Sequence, residues 1–480
     1  MRAGFGTGAA ALVAAALFVA VSAAPPAAAI APPVVDPRLV PHPGPPAPPE
    51  PTGQRSLCAK PVLTRDTPRT APDAQRALDL PTAWQFSRGR GQTVAVIDTG
   101  VNRHPRLPHL IPGGDFVSNS DGTSDCDGHG TFVAGIIAAQ PSPGDGFAGV
   151  APDATILSIR QLSLEFEAKN SGHQDDAGAM SSGGYGTVTT LASAIVRAVD
   201  LGATVINMSE VSCAPAGASL NDAMLGAAVE YAYDHNVVVV AAAGNVQSDG
   251  ACKAQNDGTG WDRVKTVASP AWFTPYVLSV ASTDPDGKVS DFSLDGPWIS
   301  VAAPGTNLVS LDSTPGGTGL VDGIPAQDGP PNPINGTSFS CAFVSGVAAL
   351  VRSRFPALSA RQVIDRIIRT AHAPGPGRDD RVGYGTVDAV AALTAQLPGQ
   401  TVAAAAGRRL PPAAAAPRID PLPRRIAAVG TIACLLALAL GSAIGAALRR
   451  GSRRDATEDD DSPLHDRTGF RMSVSSTDEH

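Results

Sequence analysis

Four short runs of apolar and β-branched residues constrain this chain more than anything else in it: 93–97, 154–159, 204–208 and 237–243. Each run is continuous. A strand with one wet face alternates apolar and polar residues, so a continuous run reads as a strand covered on both faces, as in a parallel sheet. Between and beyond the runs, the spacing predicts helices over 131–139, 188–201, 220–235 and 337–354. This alternation predicts an α/β fold, a mostly parallel sheet with helices on both sides. With 480 residues and 43% hydrophobic content, the length fits one large domain of this kind plus appendages.

The appendages are legible by composition. Met1-Arg2, an apolar run from Ala9 to Ala24 and then Ala27-Ala28-Ala29 read as a signal peptide over 1–29, which implies export. Residues 30–75 form a proline-rich extension, with ten prolines between Pro32 and Pro51 that exclude helix and ladder and predict an extended arm. The globular block is expected over 76–397, and a Pro/Ala-rich linker over 398–425. Residues 426–448 carry no charge over 23 positions and lie between two arginine pairs, so they read as one transmembrane helix. The tail 449–480 is then cytoplasmic and the globular block lies on the extracytoplasmic side of the cell membrane. Within the block, 163–186 and 313–335 are rich in Gly and Ser or Pro and are expected to be long surface loops. A net charge of −8 offers no basic footprint, which excludes nucleic acid as a partner.

Of six cysteines, Cys434 falls in the expected span, leaving Cys58, Cys126, Cys213, Cys252 and Cys341 outside. Five choices of free thiol and three pairings of the other four give fifteen arrangements. Cys341 is expected to be the unpaired one, because it follows Ser338 on a buried helix. The expected pairs are Cys58 with Cys126 and Cys213 with Cys252, which spacing does not prove.

Three windows carry chemistry. Val94-Ala-Val-Ile-Asp98-Thr-Gly100 ends a buried strand in a carboxylate at the sheet's carboxyl edge, where sites in such folds lie. Asp127-Gly-His129-Gly-Thr131 sets a histidine between glycines at a helix start, uncrowded as a general base requires. Asn335-Gly-Thr-Ser338-Phe-Ser340 opens an apolar helix, where N–H groups and the helix dipole favour a developing negative charge. Each has an ordinary structural counterpart, in turn a turn-capping Asp, a loop His and an N-cap Ser. Their order, Asp98 then His129 then Ser338, matches the subtilisin order of the triad.

On these windows the chain resembles the subtilase family, from about Trp84 to Leu393, including Gly383-Tyr-Gly-Thr-Val-Asp-Ala-Val390. The resemblance implies a subtilisin-like three-layer fold and a serine endopeptidase working through an acyl-enzyme. It further implies that Asn245, in Val240-Ala-Ala-Ala-Gly244-Asn245, donates to the oxyanion, and that Ser209, Glu210, Val211 and Gly244 bind substrate. This chemistry requires no metal or cofactor, and no loop is specific enough to assign a structural calcium. The chain also departs from the family: Ala342 stands where proline is usual, which could shift helix packing, and Glu210-Val211 where Leu-Gly is usual. Val211 should narrow the primary pocket toward small residues.

Signal peptide, proline-rich arm, peptidase domain, linker, one span and a short tail together resemble the mycosins, membrane-anchored subtilases of type VII secretion. That resemblance implies secreted proteins as substrates and membrane secretion components as partners. The arm is too short for a folded pro-domain, and is expected to wrap the domain, pinned through Cys58. Two rival readings are a subtilase fold serving as a scaffold for a membrane assembly and a soluble protease released by trimming. The intact set Asp98, His129, Ser338 and Asn245 argues against a scaffold alone.

Overall fold

The computed structural model describes residues 30–42, 44–169, 184–247, 252–326, 329–399 and 422–451. The expected signal peptide, the centre of the 163–186 loop, most of the linker and nearly all of the tail lie outside the described residues. The chain divides into two compact units, Met1–Gly407 and Arg408–His480.

Each of the four apolar runs forms a strand of one sheet. Its seven members are β1 (Thr93–Asp98), β2 (Leu110–Asp115), β3 (Thr155–Arg160), β4 (Val205–Met208), β5 (Val238–Ala242), β6 (Val277–Thr283) and β7 (Val301–Pro304). They lie in the order β7-β6-β5-β4-β1-β3-β2, and every neighbouring pair is parallel. Successive side chains point to opposite faces. Val94 and Val96 therefore enter one core and Ala95 and Ile97 the other. The first core packs against helices α1 (His129–Ala138), α4 (Thr337–Arg354), α5 (Ala360–Arg369) and α6 (Ala389–Thr394), the second against α2 (Val188–Asp200) and α3 (Ala223–Asp234). The result is the expected three-layer α/β fold.

Helix α4 is the central element of the first layer. Every residue from Thr337 to Arg352 is buried, as an all-round apolar helix must be. Ala342 is fully buried within it and the helix runs unbroken past that position, so the absent proline leaves no interruption.

The proline-rich arm has almost no regular structure of its own and borrows partners along its length. Val35 and Val40 pack with the second core, and Thr52–Gln54 pairs antiparallel with Phe166–Ala168 of the first long loop. Cys58 is disulfide-bonded to Cys126, Val62 pairs with Gly323, and Thr64 and Arg65 both bond Asp322. The second disulfide joins Cys213 to Cys252, while Cys341 is a buried free thiol. The expected surface loop over 313–335 is only partly that: Leu320, Val321, Asp322 and Ile334 are buried, because two short hairpins fold it inward under the arm.

In the second unit, helix α7 (Leu422–Gly451) spans 30 residues. Among the described residues no helix is long and apolar enough to cross a membrane; on α7 the described side chains are those of 429–445, all but the last exposed.

Candidate active site

The carboxyl edge of the sheet gathers the expected groups. Asp98 is the last residue of β1 and is fully buried. His129 is the first residue of α1, and Ser338 the second of α4. Local geometry explains the glycines around His129. Gly128 adopts φ +83°, and a Cβ on Gly130 would lie 2.0 Å from the Gly100 carbonyl oxygen, so the first turn of α1 can ride against the loop after β1 only without a side chain there.

His129 Nδ1 lies 2.8 Å from Asp98 Oδ1. A carboxylate accepts, so Nδ1 carries the proton and Nε2 is the nitrogen left to take another. Asp98 Oδ1 also accepts from Thr99 N at 2.7 Å, whereas the buried Oδ2 has no hydrogen-bond partner among the described residues. The Ser338 hydroxyl donates to the Ser209 carbonyl at 3.1 Å and is turned there rather than to the imidazole. Phe339, next along α4, lays its ring 5.1 Å from the imidazole, centroid to centroid.

Asn245 lies just beyond β5. Its Oδ1 accepts from both the backbone N and the hydroxyl of Thr337, each at 2.9 Å. Because a backbone N–H can only donate, this fixes the amide orientation. The Nδ2 end then faces the turn before Ser338, 3.6 Å from where a Cβ of Gly336 would sit. Thr337 completes the tie by accepting from Gly244 N at 3.2 Å.

A second buried carboxylate stands behind His129. Asp125 accepts from Gly128 N (2.7 Å), Thr131 N (2.8 Å), Thr131 Oγ1 (2.6 Å) and Thr99 Oγ1 (2.8 Å). It serves the free N–H groups of the first turn of α1. Burial nevertheless pushes its carboxyl up to about 7, outweighing the hydrogen bonds of Thr131 and Thr99. For His129, burial alone would lower the pKa, but Asp98 and then Glu210 outweigh it and drive it upward. Asp98, His129 and Glu210 each offer an atom within 4.8 Å of the others. The Asp98–His129 hydrogen bond fixes the imidazole's tautomer and orientation.

The remaining expected residues line one side. Ser209 follows β4 and its hydroxyl accepts from Asn207 Nδ2 at 2.7 Å. Val211 packs toward Gly244: a Cβ added there would meet Cys252 Sγ at 3.1 Å and Val211 Cγ2 and Leu294 Cδ2 at 3.4 Å. Sequence reasoning missed Thr337, Asp125, Thr99 and Phe339. Asp125 had a signal, an acid ahead of a helix start with Thr131 in the first turn; Thr99 and Thr337 had none, because their partners are remote in sequence.

The Subtilase family model matches residues 89–385. Mycosin-3 of Mycobacterium tuberculosis is 45% identical over 446 residues, covering 90% of this chain and 95% of the relative. The structure of the MycP3 protease from the type VII (ESX-3) secretion system superposes with a TM-score of 0.71 at 46% identity, over 76% of this chain and all (100%) of the other. A chain of an intact ESX-5 inner membrane complex matches with a TM-score of 0.70 at 42% identity, over 87% of this chain and 100% of its own length.

Proposed function

This chain belongs to the subtilase family of serine proteases, and from that premise we propose that Asp98, His129 and Ser338 are its catalytic triad in a membrane-anchored endopeptidase of a type VII secretion system. The observation that carries the site assignment is the hydrogen bond from His129 Nδ1 to Asp98, with the ring of Phe339, the residue after Ser338, against the imidazole. In this reading the Ser338 hydroxyl swings from the Ser209 carbonyl, gives its proton to His129 Nε2 and attacks the scissile carbonyl. Asp98 holds the tautomer and steadies the imidazolium, His129 returns the proton to the leaving amine, and water resolves the acyl-enzyme. Asn245 Nδ2 and the Ser338 backbone N–H stabilise the oxyanion; loss of such a side-chain donor costs about a hundred- to a thousand-fold in turnover.

Substrate pairs as an added strand along Ser209, Glu210 and Val211, with Gly244 opposite. The packing of Val211, Leu294 and Cys252 around Gly244 supports a shallow primary pocket that takes small side chains. Incubating the full-length protein with a peptide library should give cleavage mainly after small residues, absent in Ser338→Ala. Cleavage mainly after bulky aromatics would refute the pocket assignment, and cleavage surviving Ser338→Ala would refute the triad.

The membrane assignment rests on residues 426–448, uncharged and within helix α7, and on the likeness to a chain of the ESX-5 inner membrane complex. In this arrangement 1–29 is the signal peptide, 30–75 the arm, 76–397 the peptidase domain, 398–425 the linker and 449–480 the cytoplasmic tail. The catalytic domain then faces the extracytoplasmic side, its substrates are secreted proteins and its partners are components of the secretion complex. That likeness also favours a second role, stabilising the complex.

A further inference from the structure

Glu210 brings a charge to the site that its role in pairing substrate does not require. Its Oε1 lies 3.7 Å from His129 Nδ1, the nitrogen already bonded to Asp98 Oδ1 at 2.8 Å. One N–H thus faces two carboxylates. The Glu210 side chain is 26% exposed, so solvent screens it only in part. We propose that Glu210 is a positioning residue, a second carboxylate partner of the catalytic imidazole that holds His129 charged and sets the pH above which it can take the Ser338 proton. This rests on reading His129 as the general base.

The surroundings of the ring support this reading. Asp98 meets it from β1, Asp125 from the loop ahead of α1, and Glu210 from the segment after β4, while α4 brings the uncharged ring of Phe339. Each anion within a few ångströms favours the imidazolium. Of the three, Glu210 follows only Asp98 in raising the pKa of His129, against a burial effect that lowers it. Burial raises the carboxyl of Glu210 above the usual carboxylate range, His129 opposes this, and Asp98 and Asp127 add to it. An imidazolium has no lone pair for the serine proton. Labelling of Ser338 therefore waits on loss of that proton.

The test is the rate at which a fluorophosphonate probe labels the full-length protein in detergent, followed from about pH 5 to pH 10. Removing the Glu210 carboxylate should move the acid limb of this profile down by about 1 pH unit in Glu210→Gln, roughly a tenfold faster reaction below the wild-type limb. The position of the limb, not the height of the plateau, is the readout, and Glu210→Asp, which keeps the charge at a longer reach, should fall between. A residue that only supports the fold would scale the whole profile without moving it. An unmoved limb in folded Glu210→Gln overturns the proposal. Wild-type protein that fails to label at every pH overturns the protease reading and the proposal with it. Should Glu210→Gln not fold, raising salt from about 0.05 to about 1 M on the wild type serves instead, since it screens a partly exposed pair and should lower the limb. A limb that ignores salt is then the contrary result.

Discussion

Ser338 and His129 stand on supports of opposite kinds. Ser338 heads a helix whose residues Thr337–Arg352 are buried in one apolar layer, so the nucleophile is held by packing. His129 begins a helix whose approach is held by polar and covalent links: the four hydrogen bonds of Asp125, the bonds of Asp127 to Ser163 Oγ and Leu164 N (each 2.6 Å), and the Cys58–Cys126 disulfide. Packing is non-directional and shared among many side chains. Hydrogen bonds and a disulfide are few and individually decisive. The serine side should therefore fail with the whole domain, and the histidine side should fail locally and by chemical means.

Phe343→Ala, at a position 1% exposed in the middle of α4, is the largest blow to the packed side. It should cost about 3–5 kcal/mol and lower the single thermal transition of the catalytic domain, read by calorimetry. Loss of activity without a fall in melting temperature would break the comparison. Cys58→Ser comes next at about 2–4 kcal/mol, since the bond closes a loop of 68 residues in sequence separation. Its signature is local: limited proteolysis should cut the arm first while the domain stays folded. An arm as resistant as in the wild type would remove the pinning idea. The smallest of the three is Asp125→Asn, at about 2 kcal/mol, because an amide turns one donor toward the donors of Thr131, Thr99 and Gly128. Catalysis should fall more than stability does, and the comparison sharpens if kcat drops while the melting temperature moves by only a few degrees. The charge state adds a direction. Asp125 is raised toward 7, so in the fold it holds its proton more tightly than an unfolded Asp would, and its contribution to stability declines as pH rises from about 4 to about 7.

The same division governed what could be read from the sequence. Packed elements announce themselves: β1, β3, β4 and β5 were continuous apolar runs, and α4 was expected over the residues it occupies, Thr337–Arg354. Strand β2 was not legible, because Pro112, Gly113 and Gly114 read as a turn. The structure places a register shift between Pro112 and Gly114 on the sheet's edge, where such residues are tolerated. Strand β6 was diluted by Ser279 and Ser282, and β7 is four residues ending in Pro304. Helix α5 had a usable signal, the capping box of Ser359 and Gln362, that went unused. The onset of α3 was expected at 220 but falls at Ala223, after Asn221 turns with φ +50°. In the site, the catalytic residue types and their order were readable in short windows. The ties made by Thr99 and Thr337 were not, since they join segments about 26 and 92 residues apart and only folding brings them together.

The Cys213–Cys252 disulfide closes one wall of the region around Gly244, and its sulfur is among the nearest atoms a side chain at Gly244 would meet. A wall set by a covalent bond before any substrate arrives cannot widen to suit a larger guest. In the proposed pocket, selection then works as a sieve with a fixed mesh: it sorts by exclusion, with little trading of fit for affinity, and its cutoff is inherited from the oxidation state in which the protein matured.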